Sequence, residues 1–206
     1  MRILVKRLRY GCECFAAAWP EPAMQPTWKR LRRLQEILGE LNDIDVQRRL
    51  IDAEITRRSI AFMERQVQAK KPFFAYATMT QPHLPTLPNP AFAGKTGNGN
   101  WADMLAEMDH NVGQMLDAVD RLGIRDNTIV IFASDNGPEF VREWDGWAGP
   151  WKGQYFTAWE GGIRVPFMVR WPGKVPAGRV SDEIVHAIDL FPTLAKLAGA
   201  ELPKDR

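Results

Sequence analysis

Along the 206 residues, apolar positions recur at helical spacing in some stretches and form short unbroken runs in others. Ile3, Leu4, Leu8, Cys12 and Phe15 lie near helical spacing with Lys6, Arg7 and Arg9 between them, which predicts a basic helix over 3–17. Pro20, Pro22 and Pro26 end it. A second helix is expected from Trp28 to Leu38, with Thr27 as N-cap, an apolar stripe of Leu31, Leu34 and Leu38, and Gly39 as its stop. After Asn42 and Asp43 a third helical pattern runs from Ile44 to about Ala69. Phe73 to Met79 is aromatic and small apolar throughout and reads as a buried strand. Prolines at 82, 85, 88 and 90 forbid regular structure directly after it, so His83 falls on a stiff loop. A glycine-rich loop over 94–100 opens onto a helix from Trp101 to Leu122, whose stripe includes Met104, Met108, Met115 and Val119 and which Gly123 closes.

The next run, Thr128 to Phe132, is β-branched or apolar at every position, as expected of a strand buried on both faces. Strand, helix and strand of these lengths form a βαβ unit, whose strands are parallel neighbours. His83 and the pair Asp135 and Asn136 would then share one rim of the sheet, at the carboxyl ends of its strands. Asp135 and Asn136 are hard oxygen donors suited to Ca²⁺ or Mg²⁺, although Asp-Asn-Gly is equally a turn that ends a strand. Glu139 to Trp159 is a long loop carrying Lys152, four tryptophans and three glycines. Lys152 is either a cation reaching over the rim toward an anionic ligand or one exposed lysine among many. Val165 to Val169 predicts a further strand, Ser181 to His186 an extended segment, and Asp189 to Leu197 a helix with Pro192 in its first turn.

Composition changes this picture little. The net charge is +2, yet Lys6, Arg7, Arg9, Arg32 and Arg33 belong to a cluster of basic residues in the first third, where a polyanion would be drawn if anywhere; the bland alternative is a solvated helix face. Cys12 and Cys14 are too few for a disulfide framework or a zinc site. The first residues lack a small-residue cleavage site, so no signal peptide is expected and the chain as it stands reads as cytoplasmic, with no membrane span and no specific nucleic-acid partner.

Two resemblances attach to these residues. Lys71-Pro72-Phe73-Phe74, Thr80-Gln81-Pro82-His83, Ser134-Asp135-Asn136-Gly137, Gly149-Pro150-Trp151-Lys152-Gly153, Glu160-Gly161-Gly162 with Arg164-Val165-Pro166, Trp171-Pro172-Gly173 and Asp189-Leu190-Phe191-Pro192-Thr193 resemble, in that order, a sulfatase of the alkaline phosphatase superfamily. Lys6-Arg7-Leu8-Arg9-Tyr10 with Leu38-Gly39-Glu40-Leu41-Asn42-Asp43 is similar to part of a CHAD domain, a helical fold linked to polyphosphate. Together they imply a partial CHAD-like helical segment over 1–50 and a partial sulfatase catalytic domain over 51–206. The expected fold is α/β, a partial sulfatase-like and mainly parallel sheet flanked by helices, with an N-terminal α-helical appendage.

The sulfatase resemblance implies hydrolysis of a sulfate ester, either a small molecule or a glycan. Asp135 and Asn136 would be calcium ligands, with His83 and Lys152 as the catalytic and substrate-binding contacts to the sulfate. That family uses a formylglycine made within Cys or Ser, any residue, Pro, any residue, Arg, and no cysteine or serine here has that context. Formylglycine is therefore expected to be absent, and the chain to be an incomplete or inactive member. Calcium affinity should be weak; any further ligand would be sought first at Asp109 or Glu139. The CHAD likeness implies polyphosphate contacts at Lys6, Arg7, Arg9, Arg32 and Arg33, and with them an alternative role in polyanion binding without catalysis.

Overall fold

The computed structural model describes residues 21–140 and 146–202. The helix expected over 3–17, with Lys6, Arg7 and Arg9, lies outside them. From Glu21 to Gln68 the chain forms one helix, α1, of 48 residues. This differs from the two helices expected on either side of Gly39. A glycine costs a helix only about 1 kcal/mol, less than breaking the ladder on both sides of it and renucleating. Pro26 sits inside α1, where the bond it cannot donate would have gone to a carbonyl of the first turn. None of the helices among the described residues is long and apolar enough to cross a membrane.

The second helix, α2, spans Gly99–Arg121 and follows the expected stripe. It packs on the C-terminal part of α1 through Met63, Ala118 and Val119, with Ile60, Phe73, Met115, Leu122 and Ile124 around them. Phe62 meets Phe73 edge to face at 5.8 Å, and Arg121 bonds Glu64 across the two helices at 2.9 Å. Upstream of this contact, Leu34, Ile37 and Leu50 are exposed, and among the described side chains it is the last turns of α1 that join the core.

Two strands form among the described residues, β1 at Val130–Ala133 and β2 at Phe167–Arg170. They pair antiparallel, Val130 opposite Arg170 and Ala133 opposite Phe167. The mainly parallel sheet is thus not what these strands form. Among its described residues the connection over 134–166 holds no crossover helix, only α3, a single turn at Glu160–Ile163, and the chain returns directly alongside β1. Phe73 to Met79, expected as a strand, pairs with neither, and Phe74 and Tyr76 are 71% and 82% exposed. A strand exists only through a partner's backbone groups, and β1 is paired with β2 instead. Arg170 binds Asp120 at 2.7 Å and so fastens the hairpin to α2.

The last helix, α4, covers Ala187–Leu197 and starts two residues before the expected position. His186 caps it, accepting from the amide of Ile188, while Asp189 accepts from the amide of His186 at 2.8 Å.

Candidate functional site

The strand β1 ends at Ala133, and the ladder continues one step further as the Ser134 amide donates to the carbonyl of Pro166. Asp135 and Asn136 follow at once. Asp135 is exposed and has no ion-pair partner among the described residues. Asn136 donates its side-chain amide nitrogen to the Gly137 carbonyl at 2.9 Å. Since a carbonyl can only accept, that contact fixes which side-chain atom is nitrogen and leaves the amide oxygen available. The pair therefore presents a carboxylate and a carboxamide oxygen, donors that fit a hard divalent cation. No group of three or more His, Cys, Asp or Glu side chains among the described residues is arranged to hold a metal, and two side chains alone can supply only part of such a cation's roughly six to eight oxygens.

Backbone contacts tie this pair to Lys152. The Gly137 amide donates to Gly162 O at 2.8 Å, the Gly161 amide to Lys152 O at 2.9 Å, and the Tyr155 amide to Pro138 O at 3.0 Å. Three stretches of chain approach so closely here that only glycine fits. A Cβ on Gly137 would collide with the carbonyl of Gly161, one on Gly161 with that of Gly153, and one on Gly162 with those of Thr157 and Gln154. The Glu160-Gly161-Gly162 segment is thus a spacer-free joint holding the Lys152 loop against the end of β1. Lys152 is exposed, its ammonium 4.1 Å from the centre of the Trp159 ring, and Arg164 lies 4.2 Å over Trp151 in the same way. At an exposed position such stacking is worth about 0.5–1 kcal/mol, so an anion can draw Lys152 off the ring.

His83 stands on the proline loop and is exposed. Its amide donates to Thr80 O at 3.0 Å, and Nδ1 lies 2.6 Å from Leu84 O. A carbonyl accepts only, so Nδ1 carries the proton and Nε2 is the open nitrogen. No hydrogen bond among the described residues joins the His83 side chain to Asp135, Asn136 or Lys152. The two loops share a neighbour, the start of α2. Asn100 donates to Thr86 O at 3.2 Å in the His83 loop, and Trp101 lies against Gly146, whose amide donates to Glu139 O at 3.0 Å. Arg32 and Arg33 are exposed on α1, with Arg33 3.5 Å from Glu36.

Sequence reasoning passed over the buried acids beside these loops. Asp52, Asp103 and Glu107 are buried; Asp103 accepts from the amides of Gly94 and Thr96 and from the Thr96 hydroxyl at 2.7, 2.9 and 2.6 Å. These bonds, the hydroxyl's foremost, hold its carboxyl below the usual range. Burial pushes Glu107 the other way, above the usual range, against the amide of Asn89 and the side chain of Gln81. Glu139 also keeps one buried carboxylate oxygen without a hydrogen-bond partner. The available signal was spacing: Glu107 and Asn111 lie on the same helical stripe as Met104, where a polar side chain needs a buried partner.

The family designated Sulfatase matches residues 14–200. The chain belongs to the sulfatase family. It is 34% identical over 185 residues to arylsulfatase D of Homo sapiens, covering 85% of this chain and 31% of that protein. Against steryl-sulfatase of Rattus norvegicus the identity is 42% over 142 residues, 66% of this chain and 24% of that one. Among solved structures, Ps i-CgsB in complex with k-i-k-neocarrahexaose superposes with a TM-score of 0.70 at 32% identity, over 75% of this chain and 35% of that one. The chain therefore spans a quarter to a third of the length of these three proteins. The match begins at residue 14, inside the segment whose motifs resemble CHAD, and that second resemblance finds no support in these comparisons.

Proposed function

We propose that this chain carries the anion- and metal-facing part of a sulfatase-type site and binds the sulfate group of an ester without turning it over. The observation that carries this reading is the glycine joint, which ties the oxygen donors of Asp135 and Asn136 to the loop bearing Lys152. Asp135 and Asn136 would hold calcium, which when bound supplies positive charge to an anionic ester. Lys152 adds a mobile cation, and His83 Nε2 accepts a proton or, once protonated, donates to an ester or sulfate oxygen. A steroid or aryl ester and a sulfated glycan all fit this reading, since its contacts are to the sulfate and none is to the alcohol that carries it.

Formylglycine does not fit this sequence, because no cysteine or serine stands in the required context. Two-step displacement needs an activated nucleophile, and positioning without one leaves at most a trace rate. The purified chain should hydrolyse a chromogenic aryl sulfate no faster than a trace rate with calcium added, and calorimetry should find calcium affinity weaker than micromolar. Robust turnover abolished by Lys152→Ala contradicts the proposal and directs attention to Cys12 and Cys14.

A second reading, polyphosphate binding, is favoured by one observation: Lys29, Arg30, Arg32 and Arg33 are exposed together on α1. Charges in that setting are screened over about 8 Å at physiological ionic strength. Polyphosphate affinity should accordingly collapse with added salt. Tight binding that survives high salt and is lost in Arg32→Ala with Arg33→Ala would establish a shaped site instead.

A further inference from the structure

Two buried carboxylates from different helices grip the loop that carries His83. Asp52, on α1, is 3% exposed and spends both oxygens on Thr80, accepting from its amide at 2.6 Å and its hydroxyl at 2.6 Å. Glu107, on α2, is 2% exposed and accepts from the amide of Asn89 at 2.8 Å. Thr80 and Asn89 are the two ends of the proline-rich segment. From the Asp52 end the grip reaches the imidazole in two short steps, while Glu107 fixes where the segment ends. Thr80, once held by Asp52, accepts the amide of His83 through its own carbonyl, and the turn so closed sets Leu84 O 2.6 Å from His83 Nδ1.

Burying two acids in one small core is costly, and a loop needing only to be closed could be closed by neutral groups. A carboxylate offers what a neutral group does not, two acceptor oxygens on a stiff stem, and Asp52 uses both on one residue. We propose that Asp52 and Glu107 are positioning residues for His83, holding the proline loop from both ends so that the imidazole keeps its proton on Nδ1 and leaves Nε2 open to the ligand. This rests on the reading of His83 as a contact to the sulfate ester, but its geometry is a property of the unliganded chain. Gln81, beside Glu107, belongs to the same cluster: it is buried, with its side-chain oxygen unpartnered.

The test is nitrogen NMR of the imidazoles in the full chain, without sulfate, at about pH 8, above the ordinary histidine range. In the unmodified chain the Nδ1-protonated form of His83 should exceed the other by up to roughly tenfold, the upper scale of one net hydrogen bond. In Asp52→Ala and Glu107→Ala the ratio should fall toward unity while His186 is unchanged. Glu107→Gln should restore it, because the carboxamide oxygen can still accept from Asn89. If the alanine variants do not fold, Thr80→Val decides, since it removes only the hydroxyl held by Asp52 and should lower the ratio part-way. An unchanged His83 ratio in folded Asp52→Ala and Glu107→Ala, or in Thr80→Val where those do not fold, overturns the proposal. A chain that binds no sulfate but shows the predicted ratios refutes the functional reading and leaves this one standing.

Discussion

At Gly137 a single hydrogen atom in place of a methyl decides whether the end of β1 can meet the Lys152 loop, because the space a Cβ would need belongs to the backbone of Gly161. Asp103 has a comparable local role at the glycine-rich loop, where one carboxylate gathers three donors from Gly94 and Thr96. Those bonds favour the charged form and depress its pKa in the folded chain. The stabilisation is therefore complete above the unfolded value of about 3.9 and is lost as pH falls through the lower folded value. Asp103→Asn should lower the urea midpoint at pH 7 and remove this part of the pH dependence, so that the two curves converge in acid. A constant gap between wild type and variant from pH 7 to below pH 3 would show that charge plays no part at Asp103.

Among the elements, α2 does most to organise the site. Its N-terminal end touches both the His83 loop and the Gly146 turn, while Ala118 and Val119 near its other end seat it on α1. Met63 is the buried α1 residue of that contact, and Met63→Ala should cost about 2–5 kcal/mol of unfolding free energy by urea titration. A loss under about 0.5 kcal/mol would mean that the two helices are held by surface pairs such as Arg121 with Glu64. The helix α2 was legible in the sequence because its stripe is long, amphipathic and closed by Gly123, and β1 because Thr128 to Phe132 is uninterrupted. The unbroken α1 was not, since Gly39 carries a stop signal that a continuous ladder overrides. Nor was the pairing of β1 with β2, because apolar runs state burial and not direction. Asp52 and Glu107 were hidden for a different reason. Their partners at Thr80 and Asn89 are distant in sequence, and only the folded chain brings them together.

At the scale of the whole molecule, family membership and site organisation rest on different features. The sulfatase likeness extends over residues 14–200, whereas the candidate site is concentrated where the end of β1 meets the Lys152 loop, with His83 on a neighbouring segment. Large apolar side chains stand exposed away from that joint, Tyr76 at 82%, Val180 at 90% and Ile184 at 96% among them, so the joint is not the only surface able to attract a ligand. A residue-resolved measurement is needed to separate them. Sodium sulfate titrated into the nitrogen-labelled chain with calcium present should shift the amides of Asp135, Asn136, Lys152 and Gly162 along one saturation curve, and Lys152→Ala should weaken that curve several-fold. Shifts confined to the arginines of α1, or a joint that stays silent while sulfate saturates elsewhere, would contradict the account.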